Sequence, residues 1–166
     1  APEETIKKYR HIKNQSRRVY AAMIDEMDSG IGMVIDALKE TGKLENTIIF
    51  FLSDNGGVLN SKYVKDTIGS NYPFKDGKGS MYEGGCHVPF FVHWPKGIKN
   101  PKKFNGLVSA LDIAATALSV GNADTSDANL DGVDLTPYLT NQRNDSPHNA
   151  LFWRMNEGTG WSVRKE

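Results

Sequence analysis

Between about Asn14 and Thr41, the apolar residues Tyr20, Met23, Met27, Ile31, Val34 and Leu38 recur at spacings of three and four, which predicts a long amphipathic helix. Asn14 is placed as its N-cap, and Gly42, followed by Leu44, as its stop. Gly30 and Gly32 inside it each cost on the order of 1 kcal/mol relative to Ala. They are easier to understand where the helix lies close against a sheet or another backbone. The pattern then changes. From Thr47 to Ser53, six of seven positions are β-branched, aromatic or aliphatic, with no polar alternation. That is how a strand buried on both faces of a parallel sheet reads. Helix, short loop and buried strand make half of a βαβ unit.

The remaining pattern is more broken. Ala1 to roughly Lys13 is polar and charged, and predicts an extended approach to the helix. Gly56 to Gly79 is a long Gly-, Lys- and Asn-rich segment of the kind that tends to be functional inside a compact domain. A second strand is expected over Val88–Trp94, closed by Pro95-Lys96-Gly97. Leu107–Leu111 suggests a short strand edge leading into a helix that ends near Gly121. Asn122–Asp131 is a polar loop, and Leu135–Leu139 a short helix. Ala150–Met155 and Trp161–Arg164 read as an antiparallel pair. No internal repeat or low-complexity stretch interrupts this order.

Composition changes the picture only by exclusion. The 166 residues suffice for one domain with a core, and 20 basic residues balance 20 acidic ones. The balance gives no reason to expect nucleic acid or an anionic membrane as partner. The longest apolar runs are strand-sized, too short to span a bilayer as a helix. Ala1–Thr5 show no signal-peptide pattern. A single cysteine, Cys86, rules out a disulfide within the chain.

Chemistry concentrates where the first strand ends. In open α/β sheets ligands bind beyond the carboxyl ends of strands, and there the chain places Asp54-Asn55-Gly56-Gly57. A carboxylate and an amide oxygen suit Ca²⁺ or Mg²⁺, and the glycines let backbone and ligand come close. Two side chains do not complete a calcium site, which takes roughly six to eight oxygens. Asn-Gly between apolar residues is also a tight-hairpin signal, although Val58-Leu59-Asn60-Ser61-Lys62 is a poor partner strand. Further on, Lys78 lies in Asp76-Gly77-Lys78-Gly79-Ser80, where a glycine-flanked cation can meet an oxyanion that also reaches backbone N–H groups. A solvated loop lysine is the alternative. This is no Walker loop, because Tyr72 stands where its first Gly belongs. Cys86, His87 and His93 lack the second ligand pair that zinc needs. His11 and His148 stand alone in polar contexts and read as surface residues.

Taken together the motifs carry a resemblance. Arg17–Ile24, Met27-Asp28, Ile31-Gly32, Asn46-Thr47, Phe51-Leu-Ser-Asp-Asn-Gly-Gly57, Lys78-Gly-Ser-Met-Tyr-Glu-Gly-Gly85, Val88-Pro89, Trp94-Pro95 and Asp131–Leu135 occur in the order seen in sulfatases. Over nearly its whole length the chain resembles the carboxyl-terminal part of a formylglycine-dependent sulfatase of the arylsulfatase or polysaccharide-sulfatase type. The Ser-Asp-Asn-Gly block followed by Lys-Gly-x-x-Tyr-Glu-Gly-Gly is a specific pairing.

The resemblance implies an α/β, alkaline-phosphatase-like fold, present in part: a mostly parallel sheet flanked by helices over 1–140, and the start of a small antiparallel subdomain over 141–166. It implies hydrolysis of sulfate monoesters on a sugar or aryl group, with Asp54 and Asn55 as two Ca²⁺ ligands and Lys78 binding the sulfate. It implies a formylglycine nucleophile made from Cys-x-Pro/Ala-x-Arg. Cys86 runs on as Cys-His-Val-Pro-Phe, so that nucleophile is expected upstream of Ala1, and the chain alone is expected to be inactive. Partners so implied are a sulfated small molecule or glycan and the missing half of the catalytic domain, with export to a periplasmic, secreted or lysosomal-type compartment. Two departures stand out: His87 replaces the usual Arg before Val-Pro, and Ala115 replaces a Pro between Asp112 and Thr116. Two other readings stay open. A metal-dependent phosphatase or phosphomutase would share the fold, and a truncated, non-catalytic paralogue would act as a binding module.

Overall fold

The predicted long helix forms. In the computed structural model, which describes residues 1–59, 68–124, 128–155, 158 and 160–165, it runs Gln15–Glu40. Residues 60–67 of the expected functional loop and 125–127 of the polar loop lie outside the described residues. Asn14 Oδ1 accepts from Arg17 N at 2.8 Å, satisfying one of the orphan amides of the first turn. At the other end Gly42 adopts φ +66, the left-handed geometry of a helix terminator.

Two units divide the chain, one of residues 1–47 and 52–90, the other of residues 48–51 and 91–166. In the first unit, the segment expected to be extended contains a helix instead. We number it α1 (Glu3–Lys8) and the long one α2 (Gln15–Glu40). Pro2 precedes α1, Glu3 and Glu4 occupy its first turn, and Lys7 and Lys8 its last, an order that complements the helix dipole. Six residues cannot hold a helix alone. Thr5 Oγ1 donates to Glu26, and Lys8 pairs with Asp25 at 3.1 Å, so α2 supplies what the local sequence lacks. Arg18 donates to Ile12 O at 2.9 and 2.8 Å, fixing the connection between the helices. Among the described residues the predicted apolar stripe of α2 is half open: Met23, Met27 and Val34 are exposed, Val34 to 62%, while Tyr20, Ile31 and Leu38 are half-buried. A Cβ at Gly30 or Gly32 would likewise meet nothing within 4 Å.

Strand β1 (Ile49–Leu52) is shorter than predicted and pairs with β2 (Phe90–His93). Thr47 is drawn into a preceding 3-10 turn, its hydroxyl donating to Lys43 O at 2.8 Å. With one partner strand among the described residues, β1 is half-buried rather than buried on both faces, and Phe51 rests beside Phe91 with ring centroids 6.2 Å apart. Val58 and Leu59, the described residues after Asn55-Gly56-Gly57, are not in a strand. A four-residue helix absent from the sequence reading, α3 (Glu83–Cys86), precedes β2.

The second unit buries Leu107, Ala115, Leu135 and Tyr138, with Phe104 edge-on to Tyr138 at 5.9 Å. Leu107–Leu111 is not a strand. It leads into α4 (Asp112–Val120), and Leu107 N is satisfied by the Ser146 hydroxyl at 2.8 Å rather than by a ladder. The short helix α5 (Thr136–Leu139) and the antiparallel strands β3 (Ala150–Met155) and β4 (Gly160–Lys165) follow. Pairing sets Phe152 opposite Val163 and Arg154 opposite Trp161 on one exposed face.

His148 corrects the sequence reading. Its side chain is only 13% exposed and its Nε2 lies 2.8 and 3.0 Å from the two carboxylate oxygens of Asp112, which is fully buried. The same carboxylate accepts from Ser109 N at 2.7 Å and Val133 N at 2.9 Å. Thr116 adds a relay, donating to Asp112 O at 2.6 Å and accepting from Leu135 N at 2.9 Å. The knot forms with Ala115 in place of a proline.

Candidate functional site

Immediately after β1 the chain turns through Ser53-Asp54-Asn55-Gly56-Gly57. Ser53 Oγ donates to Asn55 O at 2.7 Å, and Asn55 Nδ2 donates to Gly56 O at 3.0 Å. The second bond commits the nitrogen of the Asn55 amide to the backbone, leaving its oxygen as the end that can meet a cation. Asp54 is exposed and presents a carboxylate beside it. The donor set is thus two hard oxygens on adjacent residues, and it fits a hard cation completed by ligands from elsewhere. Among the described residues, no three His, Cys, Asp or Glu side chains group to hold a metal.

Three backbone segments of the first unit are laced together around this turn. Gly56 N donates to Gly85 O at 2.9 Å, Lys78 N to Gly57 O at 3.2 Å, and Gly84 N to Lys75 O at 2.8 Å. Such approach requires bare α-carbons. A Cβ on Gly56 would sit 1.6 Å from Gly84 O, one on Gly77 2.2 Å from Gly57 O, and one on Gly84 2.0 Å from Asp76 O. The neighbour that Gly56 admits is therefore backbone. This lacing brings the Lys78 turn to the Asp54–Gly57 turn, while the Lys78 side chain itself remains exposed. Asp76 holds φ 66, its Oδ1 accepting from Gly77 N at 2.9 Å, and Gly79 holds φ +85.

Asn71, which the sequence reading passed over, joins the same turns. Its Oδ1 accepts from Gly57 N, and its Nδ2 donates to both Gly57 O and Asp76 O, all at 2.9 Å. No motif marks it. The available signal was its position in the long 56–79 segment. His87, the departure noted above, keeps a carboxylate partner: Nδ1 lies 2.7 Å from Glu83 Oε2, and the ring stacks on Phe74 at 4.4 Å. Burial pushes the Cys86 thiol up from its ordinary range, and the nearby Glu83 carboxylate adds to the effect. That is the reverse of what activates a cysteine.

The family model described as Sulfatase matches residues 1–123. Over 154 residues the chain is 34% identical to the uncharacterized sulfatase YdeN of Escherichia coli (strain K12), covering 92% of this chain and 26% of that protein. It is 38% identical over 130 residues to the N-acetylgalactosamine-6-sulfatase of Canis lupus familiaris, covering 77% and 24%. The structure of Ps i-CgsB in complex with k-i-k-neocarrahexaose superposes with a TM-score of 0.81 at 37% identity, over 92% of this chain and 33% of that one. PsFucS1 sulfatase from Pseudoalteromonas sp. gives 0.75 at 31%, over 87% and 28%. The chain spans about a quarter of the length of the curated relatives it matches. These neighbours have the alkaline-phosphatase-like fold, of which this chain's mixed α/β order is a part. They do not favour the phosphatase or phosphomutase alternative. Sulfatases are in general dependent on a metal and on formylglycine. With the family model matched over residues 1–123 and relatives more than 30% identical along most of its length, the chain belongs to the sulfatase family.

Proposed function

We propose that this chain supplies part of the metal and sulfate site of a sulfatase that hydrolyses sulfate monoesters. The observation that carries the reading is the lacing of the Asp54-Asn55 turn to the Lys78 turn through Gly57 O. Asp54 and Asn55 would hold Ca²⁺, preferred to Mg²⁺ because an exposed, irregular turn suits the larger ion's flexible coordination. When bound, the ion supplies positive charge against the sulfate oxygens. The Lys78 ammonium would bind the sulfate ester and oppose the charge that builds on the bridging oxygen as the S–O bond breaks. Gly79 beside it, with nothing within 4 Å of its Cβ position, leaves room for the anion to reach backbone N–H groups as well.

The nucleophile motif is not in this chain, so turnover requires residues outside it, including the formylglycine and the remaining metal ligands. We assign residues 1–140 to the catalytic α/β domain and 141–166 to an antiparallel subdomain, a division supported by the β3–β4 pair. The substrate we favour is a sulfated glycan, on the likeness to Ps i-CgsB in complex with k-i-k-neocarrahexaose and to N-acetylgalactosamine-6-sulfatase. Export to an extracytoplasmic or lysosomal-type compartment accords with a glycan substrate. Among the described residues no helix is long and apolar enough to cross a membrane.

The test uses the full-length protein that carries this chain, with an aryl sulfate and a sulfated oligosaccharide as substrates. Asp54→Asn should raise the calcium concentration needed for half-maximal rate, and Lys78→Ala should lower kcat/KM by about 100-fold or more, the usual loss for one electrostatic stabiliser. The 166-residue chain alone should show no turnover. Wild-type kinetics in both variants, or turnover by the chain alone, refutes the assignment.

A further inference from the structure

We propose that Asn71 is a positioning residue of this site, a carboxamide clamp that sets the separation between the Asp54-Asn55 turn and the Lys78 turn. The inference rests on the reading of those turns given above. Three of the amide's hydrogen-bonding groups are used, and all three go to backbone. Oδ1 accepts from Gly57 N, one Nδ2 hydrogen reaches Gly57 O, and Nδ2 also reaches Asp76 O, each at 2.9 Å. Gly57 is two residues from Asn55, and Asp76 is two residues from Lys78. One rigid planar group therefore touches both turns at once. An amide is suited to this because it offers an acceptor and two donors in one plane, a combination that no carboxylate, hydroxyl or ammonium can offer.

The surrounding glycines show that the fit is tight. A Cβ on Gly77 would lie 2.7 Å from Asn71 Nδ2, and one on Gly57 would lie 3.1 Å from Asn71 Oδ1. Without the clamp, the two turns would still be joined directly by Lys78 N to Gly57 O, which at 3.2 Å is the longest of the set, and indirectly through Gly84 and Gly85, which bond Lys75 O and Gly56 N. The carboxamide adds three bonds at the direct junction, where the backbone alone supplies one. Asp54 and Lys78 are themselves exposed, so their side chains gain little order from packing. The geometry between a bound cation and the ammonium group then depends on the backbone beneath them. Asn71 touches neither sulfate nor metal in this scheme, and it acts only through Gly57 and Asp76.

In the full-length protein, Asn71→Ala should lower kcat/KM for an aryl sulfate and raise the calcium concentration at half-maximal rate, each by about 10–100-fold, the range for groups that orient first-line ligands. Asn71→Asp keeps the acceptor for Gly57 N but loses both donors, and should lose as much. Hydrogen–deuterium exchange gives a readout independent of turnover: exchange should rise at 54–59 and 76–80 and stay unchanged across α2. A merely structural role would lower the folded fraction without moving KM or the calcium dependence of the folded enzyme. Asp54→Asn and Lys78→Ala provide the reference. If those two impair the enzyme while Asn71→Ala retains wild-type kinetics, calcium response and exchange, the clamp is wrong and the site stands. If those two leave the enzyme unimpaired, the site and the clamp both fall.

Discussion

Replacing Gly56 with Ala tests the lacing of the site more directly than any charge reversal, because the clash is with backbone and cannot be relieved by a rotamer change. The new Cβ would lie 1.6 Å from Gly84 O, 2.7 Å from Gly84 C and 3.0 Å from Gly85 Cα. To reach even the 3.0 Å that real Cβ contacts respect, the two strands of chain must part by about 1.4 Å or more. A shift of that size breaks the 2.9 Å bond from Gly56 N to Gly85 O and strands a buried donor. Overpacking costs about 1–3 kcal/mol, and a buried donor left unmade about 1–3 kcal/mol more. Some of the second cost is recovered if water enters, so about 3 kcal/mol is expected. Two other Gly→Ala changes calibrate the value. Gly30→Ala places a Cβ in open helix surface and should stabilise by up to about 1 kcal/mol. Gly42→Ala meets no atom but forces φ +66 on an L-residue, costing about 1–2 kcal/mol. Urea midpoints of the full-length protein, with kcat/KM for an aryl sulfate measured alongside, read all three. A Gly56→Ala protein within about 0.5 kcal/mol of wild type, with unchanged kcat/KM, would refute the close backbone approach.

In the second unit, His148→Ala should cost about 1.5–3 kcal/mol by removing a donor from the buried Asp112 carboxylate. His148→Gln, which keeps an N–H donor, should recover part of it, and equal urea midpoints for wild type and His148→Ala would count against the buried pair. The raised pKa of the Cys86 thiol keeps it protonated to a higher pH than a free cysteine, so its modification by a disulfide reagent should be slow near pH 8 and accelerate only above that. Cys86→Ala should leave sulfatase turnover within about twofold of wild type, and loss of turnover would mark Cys86 as part of the reaction after all.

What could be read from the sequence was whatever depends on near neighbours. Helix α2 was legible from spacing, Asn14 and Gly42, and β3 and β4 from short apolar runs separated by a turn. Helix α1 was not, because its stabilising partners Asp25 and Glu26 lie about twenty residues away. The Asp112–His148 pair spans 36 positions, so nothing adjacent to His148 distinguished it from a surface histidine. The apolar stripe of α2 shows the converse. Periodicity encodes a covered face, and among the described residues half of that face, at Met23, Met27 and Val34, is open.

The candidate site divides along the same line. Asp54, Asn55 and Lys78 advertise their chemistry by residue type, and a single position suffices to suspect each. How they are held does not show in their types, since the bonds that hold them run between amides and carbonyls that every residue carries. Only glycine betrays such contacts in a sequence, by omitting the atom that would block them. Gly56, Gly77, Gly84 and Gly85 are all buried, in three separate segments, and each would drive a Cβ into another segment's backbone. These four glycines are therefore a record of backbone meeting backbone, whereas Gly79 in the same blocks stays open, with nothing within 4 Å of its Cβ position. Reading every glycine there as room for a ligand leaves out the frame of the site. Once the frame is seen, a side chain able to bridge amides and carbonyls across it becomes a thing to look for, and Asn71 is the residue that answers.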